Sequence, residues 1–261
     1  MTEIVTTDLM APSRANALAV TLGLDRTFAQ GDALPPFFHQ IYFWDTVPDT
    51  GLGRDGHPKV GQGLIPDMGL PRRMWAGGQL SFPAPLRAGI PAEKKSRVMS
   101  TKRKEGRSGP LAFVTLRHDI LQDGKLRVRE MQDLVYREDP DPTAPAVPAK
   151  PAPADSHTET VQFSTTRLFR YSALTFNGHR IHYDADYARE VEGYPGLVTH
   201  GPLLAQMLML KAERELGPLA EFKFRGLSPA IQSEVLTLCR AGRKLWVRGP
   251  DGRTVMEAEA Q

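Results

Sequence analysis

A single cysteine, Cys239, excludes any intrachain disulfide in the 261-residue chain, and the reducing cytoplasm is the expected setting. It lies in the alternating stretch SEVLTLCR, where it reads as a small core residue. Nowhere do about 18 apolar residues run together, so no membrane-spanning helix is expected. The opening MTEIVTTDLMAPSRANALAV carries acids and lacks a continuous apolar run, which argues against a secretion signal. Excess charge is also missing: 33 basic against 30 acidic residues leave a net +3. A nucleic-acid partner is therefore not expected, whereas an anionic small ligand fits. There is no P-loop, no dinucleotide fingerprint and no cluster with metal-ligand spacing, so neither a nucleotide cofactor nor a metal is called for.

What is present is a change of composition near the middle. DPDPTAPAVPAKPAPADSH, residues 139–157, has too much Pro for a helix interior or a paired strand and reads as a stiff connector. It separates 1–138 from 158–261, and both parts run a helix before a meander of strands. In the first, SRANALAVTLGL has helical apolar spacing with a Ser at its entry and Gly23 at its end. AEKKSRVMSTKRK, GPLAFVTLRHDI and KLRVREMQDLVYRE then alternate, joined by Gly-containing turns. In the second, a strand at VQFSTT precedes a helix from Pro202 to Leu216, apolar nearly all round and therefore buried, and four strands follow between 220 and 259. The fold class is α+β, best met by two hotdog units, each a curved antiparallel sheet wrapped on a central helix.

YSALTFNGHRIHYD, residues 171–184, concentrates the chemistry. An imidazole beside aromatic residues in a bent backbone suits a general base, because its unperturbed pKa of about 6.5 lies near neutrality. Taken alone, the segment reads first as histidines satisfying buried backbone groups and only second as a catalytic site.

Context favours catalysis. Tyr171, Leu174, Thr175, Ile181, His182 and Ala188 match a signature of MaoC-type dehydratases, which the segment resembles. Phe176 stands where that signature has Gly, Asn177 where it has the catalytic Asp, His179 for Asn and Arg180 for Pro. With EGYPGLVTHGPL downstream and LPRRMWAGGQLSFPAPLRAG upstream, the chain is most similar to the type 2 hydroxyacyl-thioester dehydratase branch, a double-hotdog group that includes hydratases of mesaconyl-C4-CoA and itaconyl-CoA.

The resemblance implies a hydro-lyase with its signature in the second unit, while the first unit, lacking a copy, shapes the acyl pocket. His182 would be the general base that activates water, and Asn177 would hold that water or the thioester oxygen, or else bridge the bend. The Gly201 amide, ahead of Pro202, would meet the developing enolate at a helix N-terminus. His179, Tyr183, Thr199 and His200 would line the substrate. Arg180 would contact a carboxylate or CoA phosphate, and Arg72, Arg73 and Trp75 could clamp a second carboxylate and its hydrocarbon body. Asp184 is the carboxylate that could share proton work with His182. STKRKEGR, at a strand end, could meet a CoA phosphate. His57, His118 and His157 carry no recognisable spacing.

The expected substrate is a short branched dicarboxylic acyl-CoA, mesaconyl-C4-CoA or itaconyl-CoA giving citramalyl-CoA, with CoA as part of the substrate and no separate cofactor. A fatty 3-hydroxyacyl-thioester dehydratase and a non-catalytic acyl-CoA-binding protein are the rivals. A homodimer is compatible with hotdog sheet edges.

Overall fold

The three alternating segments of the first half become its longest strands. In the computed structural model, which describes residues 2–61, 63–106, 109–139 and 148–261, they are β3 (Ala92–Gly106), β4 (Gly109–Gln122) and β5 (Lys125–Arg137). Asp123 and Gly124 both take positive φ in the β4–β5 turn, the left-handed pair that a tight hairpin requires. Preceding them are β1 (Glu3–Asp8), α1 (Pro12–Leu22) and β2 (Arg72–Ser81). The second half holds β6 (His157–Val161), α2 (Thr165–Thr175), α3 (Ala185–Glu190), α4 (Gly201–Leu216), β7 (Glu221–Gly226), β8 (Leu236–Ala241), β9 (Lys244–Arg248) and β10 (Thr254–Ala260).

All ten strands form one antiparallel sheet in the order β1-β3-β4-β5-β2-β7-β10-β9-β8-β6. Each half contributes its strands in the same internal order, first-third-fourth-fifth-second, and the halves join where β2 meets β7. Gly77 makes that joint possible, and Gly78 the close approach of β2 to β5 on its other side. A Cβ on Gly77 would lie 2.5 Å from the Phe224 carbonyl oxygen, and one on Gly78 would lie 2.8 Å from that of Met131. The architecture is the α+β double hotdog.

α4 is the central helix of the second half. Leu203, Leu204, Ala205, Leu208, Met209 and Ala212 are buried, and the helix packs over β10, β9, β7 and β2. Its length and apolar character stop short of a membrane span, and among the described residues no helix is long and apolar enough to cross one.

The first half departs from the expected scheme. α1 packs against α2. Between α1 and β2, the helical structure among the described residues is limited to the 3₁₀ turns Phe38–Ile41 and Asp49–Gly51, beside isolated bridges at Ala33 and Leu52–Pro58. Buried Phe37, Phe38, Ile41, Tyr42 and Phe43 fill the core there instead. α1 also starts at Pro12 with Ala11 as its cap, not at Ser13, because proline is preorganised for the first helical position. It ends at Gly23 in left-handed backbone. Cys239 is buried, with its Sγ against Asp155. Of the 139–157 connector, 140–147 lie outside the described residues, the Lys150 carbonyl accepts from the Thr254 amide at the start of β10, and the Ala152 amide donates to the Gly252 carbonyl.

Candidate active site

α2 brings Tyr171, Ser172 and Thr175 to the site and stops at Phe176, which adopts left-handed backbone with φ 53°. That conformation normally favours glycine. Here Trp44 from the first half braces it: the two rings stack at 5.1 Å, and the indole N–H donates to the Leu174 carbonyl. The chain then reverses through Asn177, whose Oδ1 accepts from the His179 amide at 3.0 Å, and enters the 3₁₀ turn Arg180–His182. Asp184 caps α3 by accepting from the Tyr187 amide. Asn177 thus has its oxygen engaged in the bend, and the residue lines the cavity.

Four imidazoles follow one another in contact. The rings of His57 and His179 lie 4.4 Å apart, those of His179 and His182 5.4 Å, and those of His182 and His200 3.6 Å in a stack. Each ring outside His179 has a fixed partner. His182 Nδ1–H donates to the Val198 carbonyl at 2.7 Å, so Nε2 carries the lone pair. His200 Nε2 pairs with Ser172 Oγ at 2.8 Å. His57 Nδ1 donates to Asp55 Oδ2 at 2.9 Å, while the His57 amide donates to Asp55 Oδ1.

Burial disfavours the charged form and holds all four imidazoles below the ordinary histidine value, His182 at about 4. At neutral pH they are neutral, the form a base requires. Burial also works against the Asp55 carboxylate, but the hydrogen bonds and charge of His57 overcome it and keep its pKa low.

Asp55 and His57 arrive from the irregular part of the first half. Gly56 lets them approach: it has φ +85°, and a Cβ there would lie 2.0 Å from the Gly178 carbonyl oxygen. The Arg180 amide donates to the Asp55 carbonyl at 2.9 Å. The Arg180 guanidinium pairs with Asp184 at 2.7 Å, covers the Tyr187 ring at 4.2 Å and reaches the Arg54 carbonyl. It fastens the two segments together and lies away from the cavity lining, in contrast to its expected ligand contact. Asp184 is likewise taken up by Arg180 and the α3 cap.

The cavity in front of this row has a volume of about 1200 Å³ and draws its walls from both halves. His57, Asn177, His179, His182, Tyr183, Thr199 and Gly201 line it. Gly201 is the first residue of α4, whose leading amides have no acceptor within the helix, and Pro202 has no N–H. His200 sits behind the wall, and among the described residues the buried Thr199 Oγ1 has no hydrogen-bond partner. The Tyr183 hydroxyl donates to the Gly178 carbonyl at 2.9 Å.

Neighbouring arginines on β2 separate, as successive strand residues must. Arg72 is buried in an ion pair with Glu192 at 2.5 Å and does not line the cavity, so it is unsuited to its expected clamp role. Arg73 and Trp75 share the other face and both line it. Arg73 is close enough to lower the pKa of the Tyr136 hydroxyl, which burial raises.

At its first-half end the cavity is polar. His39 Nε2 and Gln40 Nε2 each donate to Glu130 Oε2 at 2.9 Å, and His118 bridges Ser96 Oγ and Gln132 Oε1. Half-buried Lys94 completes the group, its pKa lowered by desolvation. Sequence reasoning missed these residues, although their signal was readable: Ser96, His118 and Glu130 occupy registered positions on three adjacent strands. It also missed Asp55 and gave no role to His57. Asp55, His57 and His179 offer donor atoms within 4.8 Å of one another, donor types that a metal can use. Both Asp55 oxygens, however, already accept from His57, the pattern of an orienting carboxylate. The basic run 100–107 lies at the exposed end of β3, with Arg107 outside the described residues.

The sequence profile described as hydroxyacyl-thioester dehydratase type 2 matches residues 37–232. Mesaconyl-C(4)-CoA hydratase of Chloroflexus aurantiacus is 42% identical over 256 residues, spanning 95% of this chain and 91% of that protein. Among solved structures, HtdX of Mycobacterium tuberculosis superposes with a TM-score of 0.71 over 99% of both chains at 16% identity. A second M. tuberculosis protein, described as having a double hotdog fold, gives a TM-score of 0.62 over 100% of this chain and 95% of that one at 13% identity. These two structures bear on the fold alone.

Proposed function

Because the chain belongs to the hydroxyacyl-thioester dehydratase type 2 family, we propose that it is a hydro-lyase that reversibly hydrates a short branched dicarboxylic acyl-CoA, mesaconyl-C4-CoA or itaconyl-CoA, to citramalyl-CoA. The observation that carries this reading is the meeting, in one cavity, of an imidazole held in its basic tautomer and the open amide end of a buried helix.

With mesaconyl-C4-CoA, a water bound at His182 Nε2 gives up a proton as its oxygen bonds to the β-carbon. The double-bond pair moves into an enolate, and its oxygen is met by the Gly201 amide with the α4 dipole behind it. A proton then passes to the α-carbon, so that one water has been added. The Asn177 NH₂ group steadies the water or the thioester oxygen. Thr199 and His200 set the direction of the Gly201 amide, and His179 and Tyr183 wall the substrate.

Arg73 takes the distal carboxylate and Trp75 covers the hydrocarbon beside it. The buried ionisable groups at the far end of the cavity favour a short polar acyl group over a fatty chain, which needs an apolar tunnel. CoA enters as part of the substrate, and the single buried thiol suits a cytoplasmic setting.

The test is incubation of the purified protein with mesaconyl-C4-CoA, itaconyl-CoA and crotonyl-CoA, with products identified by mass. A dicarboxylic thioester gaining one water and eluting as citramalyl-CoA is the expected result. No hydration of any of the three would refute the reading.

A further inference from the structure

In hydration one hydrogen of the water bound at His182 Nε2 stays on the new hydroxyl, and the other must reach the α-carbon. We propose that His57, held by Asp55, is a second catalytic residue that accepts the other hydrogen and carries the proton from water to the α-carbon; this rests on the hydratase reading above.

Four observations converge on the pair. His57 lines the cavity while Asp55 stands behind it, outside the lining. Both hydrogen bonds that Asp55 receives from His57 fix the ring with Nδ1 occupied and Nε2 open. The loop bearing them is seated on the signature turn by the Gly56–Gly178 backbone approach and by the Arg180 amide on the Asp55 carbonyl. Finally, His57 touches His179, the next ring of the row that leads to His182.

Charge decides which imidazole keeps the proton. His182 is backed by a carbonyl and His200 by a hydroxyl, both neutral. His57 is backed by a carboxylate, and a hydrogen bond between ionised partners is roughly twice as strong as a neutral one. In hydration a water O–H bond breaks and its proton goes to His57 Nε2 as the oxygen bonds to the β-carbon. The π pair becomes the enolate. His57 then returns that proton to the α-carbon, the enolate pair forms the C–H bond, and the imidazole is neutral again. His182 holds the water's second hydrogen throughout, and Asp55 is a positioning residue that stabilises the transient imidazolium.

The experiment follows dehydration of citramalyl-CoA carrying deuterium at the α-carbon, by wild type, His57→Gln and Asp55→Asn. His57→Gln is expected to lower kcat by about 10²–10³-fold with little change in KM, and to raise the deuterium isotope effect because α-proton transfer becomes limiting. Asp55→Asn keeps the shape and removes the charge; a fall in kcat of at least about tenfold with the same rise in isotope effect is expected. Should His57→Gln fail to fold, Asp55→Asn carries the test alone. Wild-type kcat and isotope effect in either folded variant would overturn the proposal and leave His182 as the sole base. Loss of wild-type activity on chelation, recovered by a divalent metal, would overturn it in favour of a metal at Asp55, His57 and His179. A wild type that turns over none of the thioesters would remove the functional reading and this inference with it, whereas an active wild type with unaffected variants removes the inference alone.

Discussion

Replacing His182 by Ala removes a cavity-lining ring whose Nδ1–H occupies the Val198 carbonyl and whose Nε2 carries the lone pair. Turnover is expected to fall by about 10²–10⁴-fold, with the variant still folded by circular dichroism. His179→Ala should cost less in the same assay, because that ring has neither a carbonyl nor a carboxylate to fix its tautomer. Burial sets the pH dependence. With His182 held at about 4, kcat/KM should rise through about pH 4–5 and stay flat to neutrality, a limb lower than that of an unburied imidazole. Asn177→Asp preserves the oxygen that accepts from the His179 amide and adds a negative charge, so the limb should move upward; a profile unchanged by this substitution would separate Asn177 from the proton chemistry. The signature spacing made His182, Asn177 and Gly201 legible in the sequence. Asp55 and His57 were not, because they lie far upstream in an irregular segment, and a contact between two glycine backbones leaves no periodicity to read.

Among the elements, the long alternating strands were legible because alternation follows directly from which face is buried, whereas VQFSTT, expected as a strand, gives only Val161 to β6 before Ser164 caps α2 and Thr165 opens it. α4 was legible for the converse reason, being apolar on nearly every side. The signature segment was harder: its bend is the end of α2 followed by a 3₁₀ turn, and its sharpness depends on Trp44, contributed by the other half. The seating of the Asp55–His57 loop belongs to this scale as well. Gly56→Ala would place a Cβ 2.0 Å from the Gly178 carbonyl oxygen in a backbone region where side chains are strained. We expect a loss of about 1–3 kcal/mol in chemical denaturation and a lower kcat, as the loop lifts from the signature turn. Retention of both would mean that the loop contributes nothing to the site.

For the whole molecule, the repeated strand order puts two similar half-sheets edge to edge, yet the halves differ in what they contribute to the cavity. The second gives the signature turn and the α4 terminus; the first gives the Asp55–His57 loop, Arg73 and the polar far wall. Seating so many neutral imidazoles inside has a consequence for stability. His57, His179, His182 and His200 have folded pKa values below their unfolded value of about 6.5, so the unfolded chain binds more protons as pH falls. The stability they contribute is complete above about pH 6.5 and is lost on acidification, the His182 share by its value of about 4 and those of His179 and His200 lower still. Melting temperature should therefore drop steadily between about pH 6.5 and 4.5, and a flat profile across that window would show the row to be solvated.

The choice between a dicarboxylic and a simple acyl substrate rests on Arg73, the β2 arginine whose neighbour Arg72 is already paired with Glu192. The most direct measurement is the ratio of kcat/KM for mesaconyl-C4-CoA to that for crotonyl-CoA, in wild type and in Arg73→Met. The expected wild-type ratio is well above tenfold, collapsing in Arg73→Met through a loss of about 2–5 kcal/mol confined to the dicarboxylic substrate. A wild-type preference for crotonyl-CoA, or equal losses on both substrates in the variant, would contradict the assignment.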